Sequence, residues 1–233
     1  MANYFSERDK NITARLRDLR NQLPECCEDF FVGIEPQTTT LTRLNYAYDL
    51  RIFFDYLLKN VRAFRDYQDV LDFTAEDLDK VTLGNLEAYM EYLSYYTFEG
   101  KEKTNAEKGK SRKISTVRTF FKYMYNHDRI SQNVSAKLTM PKNHDKDIIR
   151  LEKKEVERIL DAAETGAGMS EHQRKVQRNT QARDFAIISL LLGTGIRVSE
   201  CVGLNLSDVD FETNAFTAVS YTHLRAHETL ANL

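Results

Sequence analysis

Proline stands at only three of the 233 positions, Pro24, Pro36 and Pro141, and glycine at nine. With so few breakers beside 12 Tyr and 13 Phe, the chain has long stretches in which nothing interrupts a helix, so a mainly α fold is expected. A content of 42% hydrophobic and 29% charged residues fits a packed domain and excludes a disordered chain, and the length allows one large domain or two small ones. No apolar run reaches the roughly 18 residues of a membrane span, so a membrane partner is not expected. The start, Met1-Ala2-Asn3-Tyr4, lacks the apolar core of a signal peptide. Cys26, Cys27 and Cys201 are odd in number, and two of them are vicinal. A disulfide framework is therefore not expected, and the location expected is cytoplasmic.

Hydrophobic spacing divides the chain. Ile12, Leu16, Leu19 and Leu23 share one face of a helix over about 7–22, and Pro24 and Pro36 bracket a Cys/Phe-rich segment without clear periodicity. Thr38-Thr39-Thr40 opens a long helix with Leu44, Ala47, Tyr48, Leu50, Ile52, Phe53, Tyr56 and Leu57 at three- and four-residue intervals. Thr74 to Asp77 reads as a helix start, a further helix covers about 83–96, and Gly100 to Lys110 reads as a mobile basic loop. From Ser111 to Asn126, Ile114, Val117, Phe120, Phe121, Met124 and Tyr125 are expected to form an apolar face. Beyond a polar linker lie an amphipathic helix at 152–164 and an apolar, buried helix at 185–192 that Gly193 can end. A short helix at 198–204 and strands near Val209 and Ala215 complete the pattern.

Charge is unevenly spread. Residues 101–150 hold 13 Lys and Arg against 5 Asp and Glu, whereas residues 51–100 hold 5 against 10. A basic block on an otherwise acidic chain is the footprint of a polyanion-binding surface, although a solvated lysine-rich loop would give the same count.

The segment most suggestive of chemistry is Leu192-Gly193-Thr194-Gly195-Ile196-Arg197-Val198-Ser199-Glu200, followed by Asp208-Val209-Asp210. A guanidinium held at a glycine-punctuated turn has the fixed donor fork that suits a phosphate. The same residues also fit a simple Arg197–Glu200 pair fastening two helices.

The run from Ala182-Arg183-Asp184 through Gly-Thr-Gly-Ile-Arg-Val-Ser-Glu to Asp210 resembles the first arginine box of the tyrosine site-specific recombinases, the phage-integrase family. Thr40-x-x-Arg43-x-x-Tyr46-x-x-Asp49-Leu50-x-x-Phe53-Phe54-x-Tyr56-Leu57 resembles the opening helix of that family's core-binding domain. Ser111-Arg112-Lys113-Ile114-Ser115-Thr116-Val117-Arg118-x-Phe120-Phe121 resembles its later DNA-facing helix. The resemblance covers about 38–219. It implies a SAM-like helical core-binding domain at 38–140, a linker at 141–151 and the beginning of an α+β catalytic domain at 152–219, with 1–37 as an extension. The implied partner is double-stranded DNA. The implied activity is site-specific recombination and integration through a 3′-phosphotyrosyl intermediate, with four protomers on DNA and no cofactor. Arg197 is then the first phosphate-clamping arginine and Glu200 its supporting acid. Arg43, Lys101, Lys103, Lys108, Lys110, Arg112, Lys113, Ser115, Thr116, Arg118 and Lys122 are the implied DNA contacts, mainly to phosphate.

In that family the remaining catalytic groups follow over roughly a hundred further residues, yet the sequence stops 36 residues after Arg197, so a C-terminally truncated, inactive chain is expected. Thr222-His223-Leu224-Arg225-Ala226-His227 only superficially resembles the family's histidine–arginine box: it comes too soon after Arg197, and Ala226 breaks its spacing. His223 and His227 lack a metalloprotease glutamate between them, so no metal is expected. Residues 220–233 resemble translated sequencing-adapter read-through and are expected to be non-native. A non-catalytic helical DNA-binding protein is the alternative reading, and a helical interaction module without a nucleic-acid role is a third.

Overall fold

The computed structural model describes residues 4–142, 150–218 and 221–225. They fall into two units, one covering residues 4–142 and the other 150–218 and 221–225. In the first, α1 (Tyr4–Arg20) and α2 (Cys26–Gly33) precede the long α3 (Thr40–Asn60). Three 3-10 turns then lead to α4 (Leu83–Tyr92), a hairpin of β1 (Tyr95–Phe98) and β2 (Lys101–Thr104), and α5 (Glu107–Asn126). Thr39 opens α3 with its Oγ1 accepting from the Thr42 N–H at 3.2 Å, which satisfies one of the orphan donors of the first turn.

The core is aromatic. Phe53 and Phe54 of α3, Phe120 and Phe121 of α5, Tyr89 of α4 and Phe30 of α2 are all fully buried. Their rings meet edge to face, as in the Phe53–Tyr89 pair at 5.2 Å and the Phe30–Phe120 pair at 5.3 Å. Leu16, Leu19, Leu23, Cys27 and Phe31 belong to the same core. The first 37 residues are thus built into the unit, and a piece cut at residue 38 would lose one wall of its core. Burial pushes the Cys27 thiol well above its usual range, leaving it an inert packing group.

Other sequence expectations are corrected locally. The Cys/Phe-rich segment is helical, and Thr74–Asp77 opens only a 3-10 turn, Glu76–Lys80. The helix expected over 83–96 stops at Tyr92. The supposed mobile loop is a hairpin, because Glu99 and Gly100 take positive φ (52° and 72°) and reverse the chain in two residues. Arg51 of α3 pairs with Glu99 and lies 5.3 Å from the Phe98 ring, fastening the hairpin to the core.

The buried carboxylate of Asp77 anchors the chain between α3 and α4. Burial alone would raise its pKa. Hydrogen bonds from Lys80 Nζ (2.6 Å), the Thr74 N–H (2.8 Å), the Tyr67 hydroxyl (2.7 Å) and Thr74 Oγ1 (2.9 Å) overcome that, and hold it at about 2. Because the folded value lies below the unfolded one, this stabilisation is complete above about pH 4 and disappears as pH falls toward 2. Asp77→Asn is expected to lower the melting temperature by several degrees at neutral pH, corresponding to roughly 1–2 kcal/mol. Wild-type and variant melting curves should converge near pH 2; a gap independent of pH would contradict this account.

The second unit contains α6 (Lys153–Thr165), α7 (Glu171–Gln177), α8 (Gln181–Thr194), α9 (Val198–Val202) and an antiparallel sheet ordered β3 (Val209–Asp210), β4 (Ala215–Ala218), β5 (Tyr221–Arg225). Its core is small: Ile196, Phe216 and Ala218, with Leu190, Leu191, Cys201, Leu204 and Val209 packed around them. The helix expected to be buried on all sides is not. In α8 only Gly193 is fully buried and Ile187 is exposed, since among the described elements α6, α9 and this small cluster cover only part of its circumference. The expected linker falls largely on 143–149, and the expected tail largely on residues outside those described.

Candidate nucleic-acid interface

In α5 the apolar residues Ile114, Val117, Phe120, Phe121 and Met124 are buried, so helical geometry alone turns Lys108, Ser111, Ser115, Arg118 and Lys122 to the opposite side. Lys108, Ser115 and Lys122 are exposed, and Ser111 and Arg118 half-buried. Their three- and four-residue spacing makes a continuous stripe of cations and hydroxyls. Arg118, Thr119, Lys122 and Asn126 also line a shallow groove whose far side is Asn133, Ser135 and Ala136. Lys101 and Lys103 are exposed on β2, and Lys110 donates from Nζ to Ser94 Oγ at 2.5 Å.

Three of the expected contacts are committed inside the protein, and a fourth nearly so. Asp49 of α3, its side chain only 1% exposed, accepts from Arg112 Nη1 (2.7 Å), Arg112 Nη2 (2.8 Å) and Thr116 Oγ1 (2.9 Å). Lys113 is buried, with Nζ 3.1 Å from Asn105 Oδ1 and 3.9 Å from the Asp49 carboxylate. Burial raises the Asp49 pKa, and Arg112, Thr116 and Lys113 pull it partly back; burial lowers that of Lys113. Arg43 is buried as well, where it donates to the Glu35 carbonyl at 3.1 Å, pairs with the Glu35 carboxylate and reaches Thr40. Arg43, Lys113 and Thr116 are corrected from DNA contacts to internal struts, because a cation or hydroxyl on a core-facing position must find its partner within the fold. Arg112 keeps half of its side chain in solvent. The sequence reading missed Asp49 as the hub, although an acid beside Leu50 on an apolar helical face was the available signal.

In the second unit, α8 ends where Gly195 takes φ +68° and its N–H bonds back to the Leu191 carbonyl. The helix therefore ends at Gly195; Gly193, expected to fill that place, lies within it. Thr194 Oγ1 donates to the Leu190 carbonyl at 2.6 Å, and Ile196 plugs the small core. With both neighbours fixed, Arg197 opens α9 in an extended conformation. Glu200, three residues on and with its side chain 6% exposed, accepts the Arg197 N–H on Oε2 at 2.7 Å and Arg197 Nη1 on Oε1 at 3.0 Å. The Arg197 side chain remains 65% exposed. The pair lies within the first turn of α9 rather than joining two helices: Glu200 fastens that turn, and by doing so aims a largely solvent-facing guanidinium. Such a fork suits a phosphate oxygen. Among the described residues no cluster of metal-ligating side chains occurs, and His223 and His227 offer no described side chain.

The model of the phage integrase family matches residues 149–229, taking in this turn and running past residue 219. A tyrosine recombinase XerC of Caldanaerobacter subterraneus is 32% identical over 70% of this chain and 43% of its own length. The chain belongs to the tyrosine site-specific recombinases. A XerC recombinase of Oceanobacillus iheyensis extends the likeness to 82% of the chain at 28% identity, covering 53% of the relative. The chain spans about half the length of the curated recombinases it matches. Two solved structures share the recombinase fold. One is the Tn1549 transposon integrase in complex with circular intermediate DNA, with a TM-score of 0.52 at 18% identity over 83% of this chain and 53% of that one. The other is the XerH recombinase bound to its palindromic difH substrate, with a TM-score of 0.53 at 17% identity over 92% of this chain and 64% of that one. The alternative of a non-catalytic DNA-binding protein is not favoured by these likenesses.

Proposed function

We propose that this chain carries the DNA-gripping portion of a site-specific recombinase, and that it binds duplex DNA through the α5 stripe and the Arg197 turn. The observation that carries the reading is the buried Glu200 holding an exposed Arg197 at the turn matched by the phage-integrase model. Arg197 takes the scissile phosphate in this reading. A preorganised guanidinium stabilises the charge that develops on the phosphorane without reorganising during the reaction. A 3′-phosphotyrosyl intermediate keeps the energy of the broken phosphodiester for religation. Its nucleophile is assigned to no described residue, and assembly of four protomers on DNA, a cytoplasmic location and the integrating or excising direction belong to the same proposal. No described helix is long and apolar enough to cross a membrane.

Exposed cations on phosphate make affinity fall steeply with salt, by roughly 0.9 log unit per contact for each tenfold rise. The chain titrated into a labelled 30-base-pair duplex is expected to bind tightly near 50 mM salt and to lose roughly 10²-fold or more by 200 mM. Failure to bind even at low salt would overturn the reading.

A further inference from the structure

Asp49 is an unusual group for the middle of an aromatic core. It sits on α3 between the buried Ala47 and Leu50, one turn before the buried Phe53. A buried carboxylate costs several kcal/mol of desolvation, and an apolar residue of similar volume would often serve stability as well or better. Thr116 and Lys113 are both spent on Asp49 or its surroundings, although neither side chain reaches the surface. Arg112 differs: Asp49 engages its two terminal nitrogens, one bond each, while 49% of its side chain stays in solvent.

A guanidinium carries five N–H donors in one rigid plane. With one N–H on each terminal nitrogen taken by Asp49, three donors are left in a plane whose orientation the core fixes. Arg112 also lies one turn beyond Lys108 and one turn before Ser115, at the rim of the exposed α5 stripe. A free surface arginine would have to lose its rotamer freedom on binding; this one has lost it already.

We propose that Asp49 is a positioning residue for nucleic-acid binding: from within the core it holds the Arg112 guanidinium edge-on at the rim of the α5 stripe, so that the remaining donors take a backbone phosphate. The inference rests on the DNA-binding reading above. Thr116 fixes the rotation of the Asp49 carboxylate, and Lys113 offsets its charge at longer range.

The test uses charge in a diagnostic direction. Asp49→Asn removes a negative charge, so electrostatics alone would tighten binding to a polyanion. Positioning through Arg112 instead predicts about 10-fold weaker binding of the full chain to the 30-base-pair duplex. Glu87→Gln, an equal charge change at an exposed site on α4, should leave binding unchanged or slightly stronger. Arg112→Lys, which keeps the charge and loses the fork, is expected to weaken binding by a similar factor while leaving the melting temperature within a few degrees. It decides the matter if Asp49→Asn gives no cooperative melt. Folded Asp49→Asn binding as tightly as wild type or tighter, or Arg112→Lys matching wild type, overturns the inference. A wild-type chain that binds no duplex removes the recombinase reading itself, and this inference with it.

Discussion

Replacing Lys108, Arg118 and Lys122 together with glutamine is expected to weaken duplex binding about 100-fold at 100 mM salt and to reduce the slope of log affinity against log salt by roughly 2 to 3. Each removed phosphate contact returns one set of condensed counterions to the DNA, so slope and affinity must fall together. Folding should be spared, because the exposed side of α5 contributes little to the core. Lys108 and Lys122 are exposed, Arg118 is half-buried, and the apolar face of the helix is untouched. A variant with a wild-type melting curve and wild-type affinity would move the interface to another surface. One that loses affinity with an unchanged salt slope would show that the helix had distorted rather than lost phosphate contacts.

Phe53→Ala is expected to have the largest effect on stability, about 3–5 kcal/mol. Phe53 is fully buried and meets Phe54 at 5.7 Å, Tyr89 at 5.2 Å and Phe121 at 6.0 Å, joining α3 to α4 and α5. Deleting the ring removes its transfer free energy and leaves a cavity that three neighbouring rings cannot close without leaving their own rotamers. The melting temperature of the first unit should fall by roughly 10–20 °C. Leu41→Ala, at a largely exposed position of the same helix, should change it little. A small loss at Phe53 would mean that the core collapses around the gap, and that its edge-to-face packing is less specific than its geometry implies.

Much of this architecture can be read from side-chain spacing, and the exceptions have physical causes. α3 and α5 show in the sequence because one half of each cylinder is apolar at three- and four-residue intervals. α2 does not, since the eight residues from Cys26 to Gly33 make only about two turns, too few for a period to register. The β1–β2 hairpin is hidden because Tyr95 to Phe98 continues the aromatic run of α4, while the lysines of β2 look like a loop. Only Glu99-Gly100, where φ turns positive, marks the reversal. The Arg197 turn is legible as a motif, yet the burial of Glu200 that aims the guanidinium is a tertiary fact. Charge counting fails most clearly at Lys113, which is buried beside Asn105 and Asp49. It counts every cation alike, whereas Asp49, 63 residues before Arg112 in the chain, claims part of that charge for the interior.

The central claim is that duplex DNA lies against the stripe from Lys108 to Lys122 and against the Arg197 turn. Backbone amide NMR spectra of the full chain, recorded with increasing amounts of a short duplex at about 50 mM salt, test it directly. The account predicts shifts concentrated at Lys108, Ser111, Ser115, Arg118 and Lys122 and from Gly195 to Glu200, with the Asp77 network from Tyr67 to Lys80 nearly still. Shifts centred on that network, or a stripe and turn that stay unmoved while the DNA is bound, would contradict it.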